Sequence, residues 1–466
     1  MKETKLGFRR WLSFIIAGFI GQLAWAIENN YLNLYVVDVT SSVSNNLYFV
    51  PAMTAASAAV ATLTTIFIGA LSDRVGKRKL FISLGYIIWG LSIIGFAFFD
   101  PRSDLSFITK SAFIAGVMIV VMDCLMTFFG SSANDAAFNA YVSDQTDTTN
   151  RGKVESVLSI LPLIAMIAVT VIGGMFGIPR ESAESVVHWD YFFIIFGGIT
   201  LLVGIISIFF LPKDKCAPKK EGNYFENLFY GFRPKVIKEN PNLYLCYLAF
   251  MVFNIAIQIF MPYILIYVSD VMLVTGMEFT ITVGVSLLSA SAITVVVGIF
   301  MDKIGKNKLI FPTLAITFIG GIILTLVKSH VGVMIGIIVI FTGYLISTAI
   351  LASKGRDYYP EGRSGIFQGV RMVMVVLVPM VTGPYIGTAV SHINAIYDEA
   401  GDLLPNQYIF LATSIAVLFV LIPLLILVYR EAHPNKPKPE PRKMSKNEIK
   451  EYGDHYEDNY LDDLGY

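Results

Sequence analysis

Charge and cysteine are both scarce in this sequence. Asp, Glu, Lys and Arg make up 15% of 466 residues against 55% hydrophobic residues, and the mean hydropathy is +0.64. So little polar surface cannot cover a soluble body of this length, which excludes an ordinary water-soluble fold. The three cysteines, Cys124, Cys216 and Cys246, are odd in number and far apart, so they form neither a disulfide framework nor a metal site. There are five histidines, and no His-Glu-x-x-His, Gly-x-Ser-x-Gly or Gly-x-x-x-x-Gly-Lys-Ser/Thr occurs. A membrane-embedded hydrolase is thereby disfavoured and ATP is not a fuel. No cofactor, no metal and no nucleic-acid partner is expected.

What the chain does have is long apolar runs. Stretches of about 20 apolar residues read as bilayer-spanning helices, and twelve are found, near 11–36, 48–71, 80–98, 108–142, 154–178, 190–211, 242–268, 280–301, 309–327, 331–353, 364–390 and 406–429. The predicted class is an all-α membrane protein. Of the 35 basic residues, 31 fall before the first run, in alternate loops and after the last run, leaving Arg102, Lys110, Arg180 and Lys328 on the other side. Positive charge stays on the cytoplasmic side, so both termini are expected there, in a multi-pass cell-membrane protein. The first run follows Lys2, Lys5, Arg9 and Arg10 but is too long for a signal-peptide core, and no small-residue cleavage pattern follows it.

One connection is repeated. Gly69-Ala-Leu-Ser-Asp-Arg-Val-Gly-Lys-Arg-Lys79 returns as Gly298-Ile-Phe-Met-Asp-Lys-Ile-Gly-Lys-Asn-Lys308, at a constant offset of 229 residues. Each copy lies between two apolar runs, which predicts two related six-helix bundles, an architecture common among secondary transporters. The expected organisation is an N-terminal bundle over 1–212, a cytoplasmic linker over 213–240 with seven basic residues and, besides Pro212 just before it, two prolines, a C-terminal bundle over 241–430, and a tail over 431–466 too polar and proline-rich to order itself.

Gly69, Leu71, Asp73, Arg74, Gly76, Lys77 and Arg78 fill the pattern Gly-x-Leu-x-Asp-Arg-x-Gly-Arg/Lys-Arg/Lys. With twelve helices, an inner central linker and a degenerate second copy, the chain up to its tail resembles the major facilitator superfamily. Within it, Phe128-Phe-Gly-Ser-Ser-Ala-Asn-Asp-Ala-Ala-Phe-Asn-Ala-Tyr-Val-Ser-Asp-Gln-Thr-Asp followed by Asn150-Arg-Gly-Lys looks like sugar:cation symporters of the glycoside-pentoside-hexuronide type. Melibiose-permease-like members carry a pair of aspartates on the second helix for the coupling cation, whereas residues 48–71 here contain no acid. The antiporter pattern on the fifth helix is incomplete in Val171-Ile-Gly-Gly-Met-Phe-Gly-Ile-Pro179. The resemblance implies that Gly69, Asp73, Arg74, Gly76, Lys77 and Arg78, with Asp302 and Gly305 of the second copy, form an interdomain latch. Its target is the start of helix 11 near Arg363 to Gly369, with Arg371 close by. The alternative is that the basic loop serves topology alone. Gly76 and Gly305 suit tight turns.

Ionisable residues within the bilayer are expensive and therefore informative. Glu28 and Asp123 are the deepest. Glu28 lies with Gln22, Trp25 and Asn29 at helical spacing, along one side that is expected to face a cavity. Glu28 and Asp123 are the candidate proton carriers, since a carboxyl shielded from water loads and unloads a proton near neutral pH; a static, satisfied acid is the alternative. Asp135, twelve residues beyond Asp123, is expected near the cytoplasmic end. On helix 7, Tyr247, Asn254 and Gln258 form a polar stripe, with Tyr244 one turn before. Amides and phenols suit a polyhydroxylated solute or act as interhelical glue. Arg371 partners an acid, lines the exit, or snorkels.

The expected function is alternating-access transport by a single chain, in which a sugar-like solute is taken up together with a proton. Export of a drug or metabolite, and a non-transporting membrane sensor that signals through the tail, are the competing readings.

Overall fold

The computed structural model describes residues 6–107, 111–146, 154, 157–158, 160–179, 187–214, 230–358, 364–398 and 401–433. The expected linker core over 215–229, the tail beyond 433, Lys110 and Arg363 lie outside the described residues, as do the side chains of Asp73 and Asp302. The chain divides into two units, Met1–Leu424 and Leu425–Tyr466. The second begins with the last turns of the final helix, where the Tyr429 and His433 rings stack at 4.5 Å.

The apolar runs fold as helices α1 Phe8–Val39, α2 Phe49–Val75, α3 Arg78–Phe98, α4 Ala112–Val142, α5 Leu161–Met175, α6 Trp189–Phe210, α7 Pro241–Val271, α8 Gly276–Ile304, α9 Lys306–Leu326, α10 His330–Asp357, α11 Gly369–Ser391 and α12 Tyr408–Ala432. Among the described residues, eleven are long and apolar enough to cross a membrane. α5 is the exception. It begins at Leu161 with Pro162 in its first turn, where a missing N–H costs nothing, and at 15 residues it is about 22 Å long. Part of the expected run from 154 to 178, before Leu161, lies outside the described residues; at the other end the regular helix stops at Met175 and a turn follows at Phe176 and Gly177.

The two halves pack alike. A Cβ on Gly90 of α3 would stand 2.4 Å from Leu201 N and 2.7 Å from Gly197 O of α6. A Cβ on Gly321 of α9 would stand 2.2 Å from Ser414 Oγ and 2.8 Å from Phe410 O of α12. These glycines are 231 positions apart, close to the spacing of the loop repeat, and both let helix backbones approach where hydrocarbon offers little drive to associate. Beneath the loop that follows α3, Arg102 pairs with Asp38 and Asp100 at 2.8 Å each. Trp189 Nε1 also donates to Asp38 over 2.8 Å, so α1, α3 and α6 are tied together at one end.

At the end remote from the termini the halves are in contact. Tyr48, just before α2, meets His392, just after α11, at 3.3 Å, and Gly174 of α5 lies against Thr280 of α8. The interface between the halves is therefore closed at that end.

Candidate functional site

Four helices leave regular α geometry for π turns among the described residues: Ile27–Tyr31 in α1, Ser131–Phe138 in α4, Tyr267–Val271 in α7 and Met372–Leu377 in α11. Such insertions concentrate where backbone and side chains serve a site rather than the helix. The α1 insertion lies on the wall of a cavity of about 540 Å³ between the halves. All of the described residues that line it come from α1, α2, α4, α5, α7, α8, α10 and α11 or the short turn inside α7; α3, α6, α9 and α12 contribute none.

The walls differ in chemistry. From the first half come Gln22, Trp25, Glu28, Asn29, Asn30, Asn33, Thr54, Ser57 and Asp123. From the second come mostly Met261, Leu265, Val268, Val283, Leu287, Ile337, Phe341 and Met380, with Gln258, Ser291 and Tyr344 as polar exceptions. Glu28 is 7% exposed and Asp123 1%. Thr127 Oγ1 of α4 donates to Glu28 Oε1 over 2.7 Å, and Ser57 of α2 lies beside the Asp123 carboxyl. Glu28 Oε2 and Asp123 Oδ1 have no hydrogen-bond partner among the described residues. Neither acid has a basic partner there, so the pair is not a buried ion pair.

The amides beside Glu28 are held by its own helix. Asn29 Nδ2 donates to Trp25 O at 2.9 Å, Asn30 Nδ2 to Ala26 O at 3.2 Å and Asn33 Nδ2 to Asn29 O at 2.9 Å. A π turn loosens the regular ladder, and these back-bonds satisfy the carbonyls. Each uses one N–H of its amide, so the wall offers side-chain acceptors together with the remaining N–H donors. The cavity therefore presents hydrogen-bonding groups on one side and apolar surface on the other.

The structure brings together Gln22, Trp25, Glu28, Asn29, Asp123 and Gln258 around this cavity. It does not bring Tyr247 or Asn254. Tyr247 is 1% exposed and packs against Gly355 of α10, while Asn254 Nδ2 donates to Val375 O in the α11 π turn at 2.7 Å. Tyr244 Oη donates to Gly231 O. Only the last member of the helix 7 stripe lines the cavity; the others make interhelical contacts. Sequence reasoning missed Asn30, Asn33, Ser57 and Thr127. The run of amides at 29, 30 and 33 in an otherwise apolar helix was the available signal for the first two.

The latch residues divide as well. Gly76 ends α2 with φ 64° and Gly305 ends α8 with φ 94°, the left-handed region that glycine enters at least cost. A Cβ on Gly69 would meet nothing within 4 Å. Arg74 and Lys77 are exposed. Arg78 is buried and turned into its own half, with Nε 2.6 Å from Asp144 Oδ2 and Nη1 2.8 Å from Ser72 Oγ. Arg371 is half-buried and has no ion pair among the described residues. Among the described residues no group of three or more His, Cys, Asp or Glu converges as a metal site.

The Major Facilitator Superfamily profile matches residues 11–384. No curated protein matches the chain in sequence. Among solved structures the chain is similar to the nucleoside transporter NupG at TM-score 0.68 and 12% identity, covering 90% of this chain and 99% of that one. It is similar to a D-xylose-proton symporter at 0.66 and 13%, covering 89% and 98%. It is also similar to a bacterial homolog of the human lysosomal transporter Spinster, in an inward-facing and unoccupied conformation, at 0.59 and 15%, covering 92% and 96%. At these identities the likeness is one of fold.

Proposed function

The chain belongs to the major facilitator superfamily and is a multi-pass membrane transporter rather than an enzyme, and from that premise we propose that it carries a sugar or glycoside together with a proton by alternating access. The observation that carries this reading is the two-sided cavity: Glu28 and Asp123, without a basic partner among the described residues, within a hydrogen-bonding wall, facing a mostly apolar wall from the other half. A glycoside with an apolar aglycone matches both sides, its hydroxyls donating to the amides and carboxyls and its aglycone lying against Phe341, Leu287 and Val268.

Glu28 and Asp123 carry the proton. Two buried acids without a basic partner are too costly to keep ionised in a low-dielectric site, so loading one proton and releasing it as the halves move couples the two fluxes. Coupling requires that the proton and solute favour the two states unequally. The loop residues Gly69, Asp73, Arg74, Gly76, Lys77 and Arg78, with Asp302, Gly305 and Arg371, act in the switch between states. Both termini face the cytoplasm in this scheme, and the single chain is the working unit.

The test is uptake into proteoliposomes under an imposed proton or sodium gradient, across a panel of sugars and aryl glycosides. Gradient-driven accumulation with a proton gradient alone, lost in Glu28→Gln and Asp123→Asn, is the expected result. Unchanged accumulation in both variants would overturn the carrier assignment. The apolar wall favours one second reading, export of an amphipathic solute; vesicles of opposite orientation distinguish the direction.

A further inference from the structure

A second cavity, of about 260 Å³, lies inside the first half alone. It is lined by residues of α1, α4 and α5 together with Leu158, and among them are Gln22, Trp25, Asn134, Asp135 and Asn139. Gln22 and Trp25 also line the solute cavity, so these two side chains form the partition between the two spaces. The eight-residue π segment of α4, Ser131–Phe138, supplies Asn134, Asp135 and Phe138 to it. Asn139 is exposed and marks its mouth toward the terminus-bearing end, since α4 runs from Ala112 at the remote end to Val142 at this one.

We propose that the coupling proton passes between the Glu28–Asp123 pair and the terminus-bearing side through this second cavity, with Asp135 as the relay, and not through the space that the solute occupies. The inference rests on the reading of Glu28 and Asp123 as proton carriers and adds the route.

The groups around Asp135 fit a relay. Asn134 Nδ2 lies 3.4 Å from Asp135 Oδ1, a long contact, and Ser131 stands beside the same carboxyl. From the other elements, Glu28 of α1 and Tyr86 of α3 are close enough to interact electrostatically with Asp135. Tyr86 Oη lies 2.7 Å from Ala17 O and 3.2 Å from Asn134 Oδ1. Among the described residues no lysine or arginine lines the cavity. Twelve residues separate Asp123 from Asp135, about 18 Å along a helix, too far for one hop. A polar space of this size holds several waters, and the Gln22 amide supplies a donor and an acceptor at the partition.

The step is proton exchange only. A carboxyl O–H breaks as a water O–H forms, the excess proton passes along waters that the Gln22 amide orients by hydrogen bonding to the Asp135 carboxylate, and Asp135 returns it to water at the mouth; no electrons move. Because solute and proton use separate exits, the proton can leave while the solute still fills the central cavity.

The test needs no solute. Reconstituted protein is subjected to a pH jump, and the carboxylic C=O stretch of the buried acids is followed by time-resolved infrared absorption. The band is assigned by its loss in Glu28→Gln and Asp123→Asn. Asp135→Asn is expected to slow its rise by about tenfold or more, the scale on which a positioned acid–base group acts, and Asp135→Glu to restore the rate. Gly18→Val provides a second probe. A Cβ at Gly18 would meet the side-chain ends of Leu161, Leu158 and Phe138 at 2.9, 3.0 and 3.4 Å, all of them lining residues of this cavity, so the variant narrows the route without touching an acid and is expected to slow the rise as well. Unchanged rates in Asp135→Asn and Gly18→Val overturn the route while leaving the carriers intact. Absence of any band that disappears in Glu28→Gln and Asp123→Asn overturns the carrier assignment itself.

Discussion

Arg78 and Asp144 form a partly buried ion pair within the first half, 2.6 Å between Nε and Oδ2, and the pair joins the start of α3 to the residues that follow α4. The second half has a counterpart: Lys306 Nζ, at the start of α9, lies 2.5 Å from Asp357 Oδ2 at the end of α10. The repeated loop therefore fastens each bundle to itself. This fits a state in which the halves meet at the end remote from the termini, through Tyr48 and His392.

Breaking the first pair from the Arg78 side leaves a partly buried carboxylate without its cation, whereas Asp144→Asn removes the opposing charge from a more deeply buried guanidinium. The Asp144 side chain is 28% exposed and Arg78 only 7%, so both variants are expected to destabilise by about 1–3 kcal/mol, less than a fully buried pair. Asp144→Asn is the worse of the two, and Arg78→Lys is intermediate because one Nζ cannot reach both Asp144 and Ser72. Thermal unfolding in detergent reads the order. Equal midpoints for Asp144→Asn and the parent protein would contradict it.

Gly90 and Gly321 make a sharper structural prediction. At Gly90 the obstructing atoms are the backbone of Leu201 and Gly197, which do not yield as the end of a flexible side chain does. Gly90→Val is expected to cost about 3 kcal/mol or more through overpacking and to lower the yield of folded protein. Gly321→Val acts similarly against Phe410 O and Ser414 Oγ. Gly284→Ala in α8, where a Cβ meets nothing within 4 Å, should be neutral or gain up to about 1 kcal/mol from helix propensity and a stiffer unfolded chain. Folded yield and unfolding midpoint on one gel-filtration series separate the three.

Asp402 sets a pH dependence outside the membrane spans. It precedes the strand β2, Leu403–Leu404, which pairs antiparallel with β1, Ile396–Tyr397, between α11 and α12. It is 4% exposed, its Oδ2 has no partner among the described residues, and burial, then the nearby Asp398 charge, push its carboxyl up to about 6. The unfolded value is near 4, so the folded state holds the proton more tightly. Its favourable contribution is complete below about pH 4 and is lost as pH rises through about 6. The hairpin is therefore expected to be better protected from backbone amide exchange at pH 5 than at pH 7.5, after correction for intrinsic exchange rates, and Asp402→Asn should flatten that difference. A wild-type dependence of the opposite sign would rule this out.

Much of the fold was legible because a twenty-residue apolar run is a strong signal and a loop repeated at 229 residues declares two halves. Glu28 and Asp123 stood out for the same reason, since acids in such runs are costly enough to be rare. Partner choice was not legible. Nothing in the sequence tells that Arg78 turns to Asp144 within its own half rather than toward the start of α11, because a base beside a membrane helix finds any acid that the packing delivers. The apolar second wall was hidden too: Leu265 or Phe341 facing a cavity reads the same as Leu265 or Phe341 facing a neighbouring helix.

Asn254 and Gln258 test that distinction directly, being one turn apart on α7 with opposite duties. Asn254 Nδ2 donates to Val375 O, satisfying a carbonyl in the α11 π turn, whereas Gln258 lines the solute cavity. An interhelical bond of this type contributes about 0.6 kcal/mol and at most about 1.7. Asn254→Leu should thus lower the unfolding midpoint slightly and leave the KM for solute within about twofold, since the bond does not face the solute. Gln258→Leu should do the reverse, with an unchanged midpoint and a KM raised by about five- to tenfold, the worth of one lost hydrogen bond. Transport kinetics and unfolding measured on the same two variants decide the assignment. A raised KM in Asn254→Leu with normal stability would mean that α7 turns its amides toward the solute in some state of the cycle, and the wall described here would have to be redrawn one turn deeper.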